Sequence, residues 1–520
     1  MTRRAGLLVP LFSCPSATSW GIGDIGDLVP LAAWVSRAGL HLLQLLPLNE
    51  MAPGQQSPYS AISAMAIDPI FIRVASMPEF EALGGEAALA PGDREQLDAA
   101  RRAPRIDYAT VRRVKQAAFG AAFDRFHDAE WTRGTDRAAA LRAFAADQSW
   151  WLDDYALFRA IHAREGERPW TEWPPPQQRR DPSAIEAARR DLAREVLFHQ
   201  YLQWTAATQW RDARQAARGV QIFGDQPFMV DSDSADVWSH QEHFSLDVTV
   251  GAPPDAFSAT GQDWGLPIYR WDAIARDGFR WPRKRARRSA DLYDGYRVDH
   301  LVGFYRTYGN PKDGRPPFFT PADEPSQLAL GEQMLGIFRE PGADIIAEDL
   351  GTVPDFVRAS LARLGVPGFK VLRWERHWHD AGQPFREPTE YPPVSVATSG
   401  THDTEPLLVW WEESTRADRE QVNRLATIQR ITGGESIADA PYDRVRDVLL
   451  EALFASGSDL LLLPIQDVFG WRDRINVPAT IGGSNWTYRL PWPVDRFDEI
   501  PEARERQQCL REWARQHGRA

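Results

Sequence analysis

The 520-residue chain is 43% hydrophobic, ample for a large buried core, and its length suggests more than one ordinary domain or one barrel with insertions. Its formal net charge of −12 reads as solubility and excludes the basic face that a nucleic-acid partner requires. Two distant cysteines, Cys14 and Cys509, make no disulfide framework and fit a reducing cytoplasm, and no apolar stretch approaches the roughly 20 residues needed to cross a bilayer.

The basic N-terminus imitates a short signal peptide. Pro10 interrupts its apolar run, however, and no small-residue cleavage pattern follows, so residues 6–12 (GLLVPLF) are predicted to be a buried strand. A helix is predicted over residues 24–38. A second apolar run covers residues 40–48 (LHLLQLLPL). About 170 residues then separate it from the next strand, too many for a simple loop. Residues 75–217 are Ala-, Arg- and Glu-rich with helical periodicity, and residues 150–163 (WWLDDYALFRAIHA) form an amphipathic helix. This segment is expected to be a mainly helical insertion walling one side of a cleft.

Six further strand-like runs follow. They are residues 220–228, 295–300, 344–350, 368–374, 395–403 and 460–469. Helices are predicted over residues 354–364, with Gly365 as the C-cap, and over residues 416–431. Continuous apolar runs read as strands buried on both faces. Eight of them with intervening helices predict an α/β fold, a (β/α)8 TIM barrel with large helical insertions, in one catalytic unit over residues 1–520. A doubly wound sheet is the alternative. A second insertion is expected over residues 229–290, carrying a loop at 253–265.

In such a barrel, catalytic residues sit at the C-terminal ends of strands. Three acids take such places: Asp299, Glu348 and Asp403. Arg297 and Asp299 are two apart and share one face of a strand, so the guanidinium favours an ionised Asp299, as a nucleophile needs. The pair equally fits a buried structural ion pair. Glu348 lies in the apolar context IIAEDL, where desolvation raises its pKa, as a general acid needs. One carboxylate of each kind is the division of labour in glycoside cleavage. His402, beside Asp403 in SGTHDT, is placed to donate to a sugar hydroxyl, and Asp225 in GDQPF is a further acid of the ring. The 21 tryptophans, many beside Pro, Asp or Gly, suit a cleft that stacks sugar faces, although core packing is their default role. His377 and His379 in ERHWHD lack a supporting carboxylate bundle, and no metal-ligand motif, GxGxxG after a strand or P-loop is present. No metal or other cofactor is expected.

The motifs SWGIGDIGDL, QSPYSAISAMAIDPIFI, FGDQPFMVDSDSADVW, GAPPDAFSATGQDWGLPIY, GYRVDHLVGF, IIAEDLGTVP and SGTHDTEPL run nearly end to end. With them the chain resembles the 4-α-glucanotransferases (amylomaltases, disproportionating enzymes) of glycoside hydrolase family 77, an α-amylase-like group. The resemblance implies Asp299 as nucleophile, Glu348 as general acid/base and Asp403 as transition-state stabiliser. It also implies that Tyr59, Asp255, Gln262, Trp264, Arg297, His300, His402 and Asn485 line glucan subsites, under a flap at residues 253–265. Where the family commonly has Gly, this chain has Ala479, so the acceptor side differs there. The expected partners are α-1,4-glucans and maltooligosaccharides, with no nucleic acid or membrane, for a compact monomer or weak homo-oligomer in the cytoplasm. A hydrolase on the same triad and a non-catalytic glucan-binding barrel are the rival readings.

Overall fold

Eight short, largely apolar strands close into a parallel barrel in which each strand pairs with its neighbours in sequence. They are β1 (Arg4–Leu8), β2 (Leu42–Gln44), β3 (Gln221–Gln226), β4 (Gly295–Val298), β5 (Asp344–Ala347), β6 (Gly368–Val371), β7 (Ser395–Thr398) and β8 (Leu460–Pro464). β1 pairs with both β2 and β8, which closes the ring. The computed structural model describes residues 3–254, 261–478, 480 and 482–520. The fold is a (β/α)8 barrel with helices around it.

Seven of the eight predicted runs contain their barrel strand; β1 overlaps its run but starts two residues earlier, at Arg4, and each strand is shorter than its run. β1 ends before Pro10 and β2 before Pro47, residues with no N–H to extend a ladder. Leu42, Phe223, Ile346, Phe369, Val371, Val396, Leu460 and Leu462 form one buried cluster, contributed by β2, β3 and β5 to β8. Gly6 stands in register with Leu42 and Leu462 of this cluster, and Gly295 with Phe223. A Cβ at Gly6 would lie 2.4 Å from the Leu42 Cβ and carbonyl oxygen. Glycine on β1 and β4 therefore makes room for the large side chains of β2 and β3.

Between β2 and β3 run the helices Pro91–Arg102, Tyr108–Phe126, Asp136–Asp147, Ser149–Arg164, Pro182–Asp191 and Ala193–Ala216. Buried ion pairs join them to the chain that leaves β2. Arg112 holds both oxygens of the fully buried Asp68 at 3.0 and 2.7 Å, and Arg159 lies 3.2 Å from Glu50. Lys115 donates to the carbonyls of Ile70 and Ile72 at 2.6 and 2.8 Å.

A four-stranded antiparallel sheet is built from the connections that follow β3 and β4. Its order is Gln262–Tyr269, Phe244–Ala252, Thr307–Pro311 and Phe318–Thr320, so it combines the connections before and after β4. The predicted loop 253–265 is thus partly strand from Gln262 onward, and its residues 255–260 lie outside the described residues.

The predicted helix over 354–364 appears as Asp355–Leu364, capped by Gly365 at φ +66. The helix expected over 416–431 is two helices, Arg416–Asn423 and Ala426–Thr432. The break is a tertiary effect. The Glu387 carboxylate, from a distant loop, accepts from the backbone N–H groups of Ala426 and Thr427 and so caps a new helix start. Among the described residues no helix is long and apolar enough to cross a membrane. Cys14 and Cys509 are unpaired.

Gly6→Ala should therefore lower the thermal denaturation midpoint, because the added methyl meets backbone as well as side chain; the overpacking penalty is about 1–3 kcal/mol. An unchanged midpoint would contradict this account of the barrel interior.

Candidate active site

All the candidate residues leave the C-terminal ends of barrel strands or the connections beyond them. Asp225 lies on β3 and Arg297 on β4, in direct register. Asp299 follows β4 by one residue, yet its N–H still donates to the Gln226 carbonyl at 3.1 Å. The strand direction therefore persists, and Arg297 and Asp299 share one face as their spacing predicts.

Arg297 is buried and bridges two acids. Its Nη1 lies 2.8 and 2.7 Å from the Asp225 oxygens and 2.9 Å from Asp299 Oδ1. Asp225 also accepts from the Tyr59 hydroxyl at 2.8 Å, while the Phe228 N–H approaches Asp299 Oδ2 at 3.4 Å. The two acids differ in access. The Asp225 side chain is sealed, whereas that of Asp299 is 22% exposed.

Glu348 follows β5 directly. Its N–H donates to the Val298 carbonyl, and its own carbonyl accepts from Leu301 N–H, both at 3.1 Å. These bonds hold it beside the Asp299 strand. Its Oε1 accepts from the Leu350 N–H at 3.2 Å. Burial pushes its pKa up to about 8, with the charges of Asp299 and Asp349 adding to the rise and Arg297 opposing it. Its apolar flanks thus act as their composition predicts.

Asp403 is not at a strand end. β7 stops at Thr398, whose hydroxyl donates to the Gly400 carbonyl at 2.6 Å, and Asp403 lies in the loop beyond. The run of polar residues SGTHDT continued the predicted strand only on paper, because side-chain–backbone bonds replace the ladder there. Asn476 Nδ2 donates to Asp403 Oδ1 at 2.7 Å, and His402 Nε2 lies 3.3 Å from Asp403 Oδ2. Arg474 donates to the Asp403 carbonyl. His402 stacks on Tyr59 with centroids 5.4 Å apart and contacts its hydroxyl at 3.1 Å. Burial lowers the His402 pKa, keeping the imidazole neutral.

The loop 399–407 is clamped from both sides. From the β6 side, the buried Arg373 donates to the Ser399 carbonyl at 3.0 and 3.2 Å and to the Glu405 carboxylate at 2.6 Å. From the β8 side, the buried Asp467 accepts from Ser399 Oγ at 2.5 Å and from Leu407 N–H at 2.7 Å. Arg373, Asp467, Arg474 and Asn476 were not singled out from the sequence. Arg373 and Asp467 do lie within predicted strand runs, so their place near strand ends was a usable signal. The contacts of Arg474 and Asn476 cross about 70 residues of sequence and leave none.

His300, at φ +42, meets Trp264 edge to face at 4.7 Å and Phe228 at 5.3 Å. Burial pushes its pKa down to about 4. Gln262 Oε1 accepts from Trp264 Nε1 at 3.1 Å, so these residues form a second patch beside the acids. Asn485 sits on the chain beyond β8. Its amide binds Val477 and Thr480 at 3.1–3.3 Å and shapes the loop that carries Asn476. Asp255 and Ala479 lie outside the described residues.

A family model described as 4-alpha-glucanotransferase matches residues 9–495. The 4-alpha-glucanotransferase of Thermus thermophilus is 33% identical, over 97% of this chain and 99% of that protein. That of Chlamydia pneumoniae is 31% identical, over 93% and 91%. An amylomaltase from Streptococcus agalactiae, solved in complex with acarbose, superposes with a TM-score of 0.83 at 26% identity over the full length of both chains.

The raised Glu348 pKa has a consequence for stability. The folded state disfavours the ionised carboxyl, so its contribution is intact below the ordinary glutamate range and is lost as pH rises through about 8. Glu348→Gln removes that loss. The melting temperature of the variant, measured against wild type, should gain from about pH 5 to about pH 8 and level off above it, whereas a constant difference would contradict the assignment.

Proposed function

The chain belongs to the 4-alpha-glucanotransferase family, and from that premise we propose that it transfers α-1,4-glucan segments by a retaining double displacement on Asp299 and Glu348. The observation that carries this reading is the opposed environment of the two acids. Asp299 faces the buried Arg297 guanidinium at 2.9 Å, while burial holds the pKa of Glu348 at about 8. One is supplied with positive charge and the other keeps its proton at neutral pH.

In the first half-reaction Glu348 protonates the leaving glycosidic oxygen as an Asp299 oxygen attacks the anomeric carbon. The glycosidic bond breaks, an ester to Asp299 forms, and the shortened glucan departs with the proton. In the second, Glu348 takes the proton of an acceptor 4-hydroxyl. That oxygen displaces Asp299, giving a new α-1,4 bond and restoring both acids. One α-1,4 bond is broken and one made, so no water is consumed. Asp403, fixed by Asn476 and His402, binds hydroxyls of the reacting ring and stabilises the positive charge that develops on it.

The substrates are α-1,4-glucans and maltooligosaccharides, a reading supported by the names of the relatives and by the acarbose complex of the Streptococcus agalactiae amylomaltase. Tyr59, Trp264, His300 and His402 offer rings and polar tips for sugar binding on two sides of the acids. Asp225 and Arg297 support them from beneath. The described end of the flap, from Gln262 to Gly265, and the loop held by Asn485 bound the cleft. The unpaired Cys14 and Cys509 fit a cytoplasmic setting.

With maltotriose as sole substrate, the enzyme should release glucose and build longer maltodextrins while total reducing ends stay constant. Rising reducing ends without longer products would instead make it a hydrolase. Asp299→Asn should cut the transfer rate by about 10³-fold or more.

A further inference from the structure

Trp378 is 54% exposed, well above Leu83, Phe318 and Val394, the other exposed large hydrophobic side chains among the described residues. An indole left in water forgoes the favourable burial that most tryptophans obtain. Its position is a built one. The segment leaves β6, between the strands that lead to Glu348 and to Asp403, and so lies on the active-site face of the barrel.

The segment folds as a small hairpin. Arg376 and Phe385 form an antiparallel bridge, His377 N–H donates to the Pro384 carbonyl at 2.9 Å, and Arg386 N–H to the Glu375 carbonyl at 2.9 Å. The neighbouring helix Arg416–Asn423 pins it from outside. Arg376 reaches Asp418 at 2.7 Å, and Gln421 Nε2 donates to the Gly382 carbonyl at 3.1 Å. Phe385 packs 6.3 Å from Trp410, on the helix that directly follows the Asp403 loop. The tip is thus held fixed while its indole stays free of the core.

The reach of the tip from the barrel mouth is bounded. Trp374, at the turn after β6, packs on the cluster inside the barrel and so marks the barrel mouth. Four residues of chain reach at most about 14 Å, a few sugar units. His377 and His379, its neighbours in sequence, carry ring nitrogens that can bond hydroxyl groups.

We propose that Trp378, with His377 and His379, forms an outer stacking platform for long α-1,4-glucan chains, a few sugar units from the scissile bond. This rests on the glucan-transfer reading above. The flat C–H face of a glucose ring lies on the indole, so a chain long enough to reach the platform is held there and a short one is not.

The test compares kcat/KM for long-chain amylose, with glucose as acceptor, against kcat/KM for maltotriose disproportionation. Trp378→Ala should lower the amylose-to-maltotriose ratio about tenfold, through KM for amylose, at an unchanged melting temperature, as one stacking contact is worth. Trp378→Phe, which keeps a ring, should recover most of it. An unchanged ratio, or an equal fall for both substrates, in an enzyme that does transfer glucan overturns the platform alone. A wild-type enzyme that builds no longer products overturns the transfer reading and the platform with it.

Discussion

The buried Arg297 guanidinium is the contact on which the rest of the site depends. A charge taken out of water is tolerated only when it is paired, and Arg297 is paired twice, to Asp225 and to Asp299. The pairing ties β3 to β4 at the barrel mouth. It also propagates: Asp225 orders Tyr59, Tyr59 orders His402, and His402 stands against Asp403. Acids from separate strands are thereby linked through one cation. Removing the guanidinium would leave Asp225 sealed without its counter-charge and Asp299 without its orienting partner.

Glu348 gains its character from burial that outweighs the pull of the same cation. It lies in the same ring, yet its closest polar contact among those described is the Leu350 N–H. Burial then dominates and raises its pKa. Two carboxylic acids on adjacent strands thus differ because one is paired directly with Arg297 at 2.9 Å, while at the other burial outweighs the same cation. The proposed separation of roles follows from placement, since both side chains are carboxylic acids.

Much of this was legible in the sequence. Strands buried on both faces leave continuous apolar runs, so β1 to β8 could be found, and with them Asp225, Arg297, Asp299 and Glu348 at their ends. The limits are equally physical. Apolar runs overshoot strand ends, because the chain stays buried after the ladder stops; at Asp403 the misplacement has another cause, the polar loop SGTHDT, where side-chain–backbone bonds take over from the ladder. The break between Asn423 and Ala426 depends on Glu387, nearly 40 residues away, and no local pattern encodes it. The Asn485 amide hydrogen-bonds the loop that carries Asn476, a contact that no local pattern announces. The clamp of Arg373 and Asp467 on the Asp403 loop is a property of neighbouring strands, visible only once the barrel closes.

The central claim is that Asp299, oriented by Arg297, forms the covalent bond to the transferred sugar. Trapping tests it most directly. An activated maltosyl fluoride needs no acid to leave, so the Glu348→Gln variant should be glycosylated and then stall for lack of a base. Peptide mass mapping should find the maltosyl adduct on Asp299. An adduct on another residue, or turnover with inverted anomeric configuration and no adduct, would contradict the account.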